Sequence, residues 1–164
     1  MFEALQPLVS RVRRPLSRNE VLKAHARLES AQQLTTPTRL YKELLAVVYK
    51  RLAEEWGVPA SWDECIAYGL SVRNWPPFLD SADALHYLRK HYKLVILSNV
   101  DNESFSFSNK KLLIQFDAIF TAEDIGSYKP SPRNFEYMLE KLEANGIGKQ
   151  EILHTAEKIG RAHV

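Results

Sequence analysis

Leu94-Val95-Ile96-Leu97-Ser98-Asn99 is the stretch that decides the fold. Four apolar residues in a row, without polar alternation, suit a parallel strand covered on both faces. The run ends in two small polar residues, where such a strand would meet a loop. Upstream, Ser81 is placed to cap a helix carrying Leu85, Tyr87 and Leu88. Downstream, a helix is expected around Ser104–Leu113, and Phe116–Phe120 makes a second short strand. Ser131-Pro132 reads as a cap followed by proline at the first helical position, in a helix that ends at Asn145-Gly146. Ile152-Leu153-His154 then begins a third strand. Strand, helix, strand, helix, strand with right-handed crossovers is half of an open α/β sheet.

The residues before this unit read differently. Ser17 and Glu20, like Ser61 and Glu64, have capping-box spacing, in which a hydroxyl and a carboxylate satisfy each other's backbone amides. Val21, Leu22, Ala24, Leu28 and Ala31 recur at helical spacing. Thr36-Pro37 is expected to start a second helix, with Tyr41, Leu44, Leu45, Val48, Tyr49 and Leu52 inward and an end near Gly57 and Pro59. A shorter helix runs from Ser61 towards Gly69, and Trp75-Pro76-Pro77 breaks the pattern.

Composition bounds the function. The 164 residues are 45% hydrophobic and 26% charged, which is ordinary for a globular chain. Lys+Arg 22 against Asp+Glu 20 leaves +2, too even a balance for a nucleic-acid partner or an anionic membrane. A single cysteine, Cys65, makes no internal disulfide and fits a cytoplasmic location; it reads as a small buried hydrophobe. No apolar stretch approaches the roughly 20 residues of a membrane span. Arg11, Arg13 and Arg14 lack interleaved aromatics and read as a solvated surface run.

In open α/β sheets, ligands bind beyond the carboxyl ends of the strands. That rule selects Ser98, whose hydroxyl can donate to an anion, and Asn99, whose amide can bond on both sides. It selects Lys129, in a turn just ahead of a helix N-terminus, and the segment His154-Thr155-Ala156-Glu157. Singly, each has an ordinary reading. Ser-Asn after a strand is a turn, Lys before Pro is a solvated loop residue, His154 is a packed histidine, and Glu157 is a solvated carboxylate.

Together the strand ends carry more. Leu-Val-Ile-Leu-Ser98-Asn99, then Phe116-Asp117-Ala118-Ile119-Phe120, then Gly126-Ser127-Tyr128-Lys129-Pro130 with Pro132 and Phe135, stand in the order and spacing of one family. The chain resembles the haloacid dehalogenase superfamily of hydrolases, most closely its type II haloacid dehalogenase-like branch. The resemblance implies an α/β fold: a partial Rossmann-like parallel sheet core with an N-terminal helical cap. It divides the chain into a cap at residues 1–76, a partial core at residues 77–158 and a tail at residues 159–164. It implies that Ser98 and Asn99 bind the anionic oxygens of a small substrate. Lys129 would neutralise the substrate and a nucleophilic aspartate, which forms a covalent ester that water hydrolyses.

Within that resemblance, cleavage of a carbon–halogen bond in a short 2-haloacid leads. The alternative is a magnesium-dependent phosphatase acting on a phosphate monoester, with Glu157 as the metal ligand. A reading of another class is a non-catalytic interaction module. The helical cap can also pack in a homodimer. The family's Asp-x-x-x-Gly-Thr-like nucleophile segment does not occur in these residues, so the chain is expected to be an inactive fragment. Ile159–Val164 can be encoded by a sequencing-library adapter read in frame, which makes residues 159–164 an expected non-native tail.

Overall fold

The computed structural model describes residues 1–155. Four helices come first: α1 (Phe2–Val9), α2 (Arg18–Thr35), α3 (Tyr41–Glu55) and α4 (Trp62–Leu70), followed by a 3₁₀ turn at Ser71–Asn74. Both capping boxes form. The Ser17 side chain accepts from the Glu20 amide at 3.2 Å, and Glu20 accepts from the Ser17 amide at 2.9 Å. That backbone bond, with help from Arg14, holds the Glu20 carboxyl at about 2. Ser61 and Glu64 repeat the arrangement at the head of α4. Ser61→Ala should lower the melting temperature by about 2–4 °C, because it strands the Glu64 amide, and Ser61→Asp should restore it. A melt of each variant checks both.

The apolar core lies in this helical half, with Leu5, Leu8, Val21, Leu44, Leu45 and Leu52 wholly buried. Cys65 is buried beside them, and burial pushes its thiol up. Two polar pairs lie inside: the Tyr68 hydroxyl is 2.7 Å from His25 Nε2, and Tyr41 donates to Glu29 at 2.8 Å, while the buried Gln32 Oε1 has no partner among the described residues. Arg11 departs from the expected solvated run. Its guanidinium donates to the Pro59 carbonyl at 2.9 Å and pairs with Glu64 at 2.9 Å, so it ties α1 to the start of α4.

Thr36-Pro37 ends a helix instead of starting one. The Thr36 hydroxyl donates to the Gln32 carbonyl at 3.1 Å, closing α2, and α3 begins later, at Tyr41. Proline disfavours helical backbone in the residue before it, so the same dipeptide can serve as a stop.

The second half contains α5 (Ser81–Arg89), β1 (Val95–Ser98), α6 (Asn102–Leu112), β2 (Ala118–Thr121), α7 (Ala122–Ile125) and α8 (Pro132–Glu143). β1 and β2 pair in parallel across α6, with Val95 opposite Ala118 and Ser98 opposite Thr121. Asp117 sets this register, accepting from the Leu94 amide at 2.7 Å while its own amide donates to the Leu94 carbonyl at 2.8 Å. The N-cap of α5 is Asp80, with Ser81 already inside the helix.

Two further sequence expectations need correction. β1 is half-buried along its length, not covered on both faces. Among the described residues it has one strand neighbour, and α5 buries none of its residues. Ile152–His154 forms no strand. The Glu151 carboxylate accepts from the Gly148 amide at 2.8 Å and curls the chain into a 3₁₀ turn at Lys149–Glu151. An extended segment becomes a strand only with a ladder partner, and 152–155 has none among the described residues. Among those residues, no helix is long and apolar enough to cross a membrane. The expected tail at 159–164 lies outside them.

Candidate functional site

β1 delivers Ser98 and Asn99 to one end of the sheet, and the loop after α7 delivers Lys129 to the same end. Gly126 closes α7 at φ 70°, a left-handed conformation that costs glycine little. Asn134, buried on α8, then donates to the Ser127 carbonyl at 2.7 Å and pins the loop from behind. Pro132 opens α8 at a first-turn position. The Lys129–Pro130 peptide between them is cis.

Asn99 and Lys129 are joined twice. The Lys129 amide donates to Asn99 Oδ1 at 2.7 Å, and Asn99 Nδ2 donates to the Lys129 carbonyl at 3.0 Å. The Lys129 ammonium donates to the carbonyl of Leu97, one residue before Ser98. Lys129 is half-buried, and burial lowers its pKa from the usual lysine value. Among the described residues it makes no ion pair. A desolvated cation without a carboxylate is electrostatically unsatisfied, and an anion arriving beside Ser98 would relieve it.

Carboxylates around this end are otherwise engaged. Asp101, 1% exposed, accepts from the Ser104 amide at 2.8 Å and from the Lys42 amide at 3.0 Å. It therefore caps α6 and grips the first turn of α3 together. The Glu123 side chain accepts from the Asn102 amide at 2.8 Å. Asp124 accepts from Asn102 Nδ2 at 2.8 Å and from the Thr121 amide at 3.2 Å. On the Lys129 side, the buried Tyr128 hydroxyl donates to the Arg39 carbonyl, and burial pushes that phenol up.

The structure thus brings Ser98, Asn99 and Lys129 together. His154 is exposed and meets Phe135 edge-on at 5.5 Å, away from any bond to the other three. Glu157 lies outside the described residues. Among those residues, no group of three histidine, cysteine or acidic side chains is arranged to hold a metal. Sequence reasoning missed Asp101 and Tyr128. Asp101 had a local signal in its spacing to Ser104, an N-cap pattern, but nothing local pointed to Lys42.

Comparison with known proteins adds the family. A family model described as haloacid dehalogenase-like hydrolase matches residues 4–155. No curated protein matches. Among solved structures, the L-2-haloacid dehalogenase PA0810 superposes with a TM-score of 0.70 at 19% identity, over 92% of this chain and 65% of that one. The defluorinating L-2-haloacid dehalogenase Rha0230 gives 0.71 at 16%, over 92% and 63%. At these identities the likeness is one of fold. The chain spans under two thirds of the length of both.

Proposed function

This chain belongs to the haloacid dehalogenase-like hydrolases, and from that premise we propose that its strand-end site holds the anionic group of a small 2-haloacid. Lys129 carries the reading: a half-buried amine without an ion pair among the described residues, fixed beside Ser98. The cation would take the substrate's carboxylate, and the Ser98 hydroxyl would donate to one of its oxygens. Support for the 2-haloacid comes from the fold neighbours named above, both of which are L-2-haloacid dehalogenases.

The same reading assigns this 164-residue chain binding without turnover. A nucleophilic carboxylate needs a free oxygen aimed at the bound substrate. Asp101 and Asp124 spend both oxygens on hydrogen bonds; Glu123 holds the head of α6 with one oxygen and, among the described residues, makes no ion pair with Lys129.

Titration with 2-chloropropionate and with inorganic phosphate, followed by calorimetry, tests the site. Lys129→Met should weaken 2-chloropropionate binding at least tenfold. Affinity should also fall as pH rises, beginning below the ordinary lysine value of 10.5, because the depressed amine loses its proton early. Equal affinity in wild type and Lys129→Met would overturn the site. Phosphate bound far more tightly than the haloacid would overturn the substrate class. Halide released from 2-chloropropionate would overturn the assignment of binding without turnover.

A further inference from the structure

We propose that Asn99 is a positioning residue for Lys129, clamping that residue's backbone from both sides. The inference rests on Lys129 being the anion-binding cation, and it gives Asn99 a role beyond the direct substrate contact expected from the sequence. A primary amide offers two N–H donors and one carbonyl oxygen. Asn99 directs its oxygen and one donor to the same residue, bonding the N–H of Lys129 at 2.7 Å and its carbonyl at 3.0 Å. Bonds to both sides of one residue fix its place and its rotation, which a single bond would leave free.

The consequence falls on the side chain. A lysine stem has four rotatable bonds and loses rotamer freedom when held. Left to itself, the ammonium of a loop lysine turns to water. Here the stem leaves a backbone clamped beside Asn99 and runs back to the Leu97 carbonyl, two residues earlier on the same strand end. Leu97, Asn99 and Lys129 therefore form a closed frame, with Ser98 between its two strand members. The frame keeps the cation partly desolvated, and one N–H of Asn99 remains outside these two bonds.

The test uses the full 164-residue chain with 13C,15N-labelled lysine. Lys129→Met assigns the Lys129 side-chain signal. Two quantities are read by NMR: the pH midpoint of that signal, and its response to inorganic phosphate and to 2-chloropropionate. In Asn99→Ala the midpoint should rise into the ordinary lysine range while the other lysine signals stay in place, and affinity for the responding anion should drop at least tenfold. Asn99→Ser, whose short hydroxyl cannot reach both backbone groups, should move both readings the same way by less. It also serves if Asn99→Ala fails to fold.

A Lys129 midpoint unchanged in both variants would overturn the proposal. If the anion affinity fell nonetheless, Asn99 would be a direct ligand. If wild-type Lys129 responds to neither anion, the anion-site reading fails, and the positioning role is still judged by the midpoint alone.

Discussion

Gly69→Ala is expected to destabilise the chain by about 2–3 kcal/mol, although helix propensity alone favours it by about 1 kcal/mol. Gly69 lies inside α4, where alanine would ordinarily be the better residue. A Cβ built there would sit 2.1 Å from the carbonyl oxygen of Lys42 and 3.1 Å from its carbonyl carbon, both backbone atoms of α3. Backbone cannot rotate aside as a side-chain tip can, so α3 and α4 must separate. Separation opens voids around Leu44, Leu45 and Cys65, which are wholly buried. It also pulls on the first turn of α3, whose Lys42 amide is bonded to Asp101. A thermal melt should show a fall of roughly 5–10 °C. A melting temperature equal to or above that of wild type would show that the helices do not cross this closely.

The glycines show where sequence reading stops. Gly57, Gly69 and Gly146 all look like helix terminators. Gly57 and Gly146 do hold positive φ, 66° and 77°, past the ends of α3 and α8. Gly69 owes its identity to a carbonyl 27 residues away in sequence, which no local pattern encodes. The capping boxes at Ser17 and Ser61 were legible because each is complete within four residues. So was the arrival of Ser98, Asn99 and Lys129 at one sheet end, which follows from chain order and parallel pairing. How they bond was not legible. The Asn99 amide could equally have faced an anion, and its pairing with Lys129 depends on how Asn134 holds the loop. The third strand failed for the opposite reason. Ile152-Leu153-His154 has strand composition, yet strand structure needs a partner, and composition cannot supply one.

Asp101→Ala should be the more disruptive change at the site, costing on the order of 3 kcal/mol. The substitution removes two acceptors at once and leaves the amides of Ser104 and Lys42 without their partner, each at the first turn of a helix. A carboxylate there also opposes the positive ends of both helices. Asp101→Asn should rescue only in part. Its single oxygen can keep one amide, but its NH₂ group must then face the other N–H. The melting temperature should fall by roughly 6–12 °C in Asp101→Ala and by less in Asp101→Asn. Hydrogen exchange should report the loss locally, with the Lys42 amide speeding up as the first turn of α3 comes free. The effect should reach the proposed anion site as well. Asp101 holds the first turn of α3 and Tyr128 holds Arg39 just before it, one following Asn99 closely in the chain and the other just preceding Lys129. Releasing one leaves the Lys129 loop tied to a helix that can now shift, so 2-chloropropionate affinity should weaken without any change in a residue that touches it. If Asp101→Ala melts within a degree of wild type and keeps its Lys42 exchange rate, the carboxylate does not join the two helices.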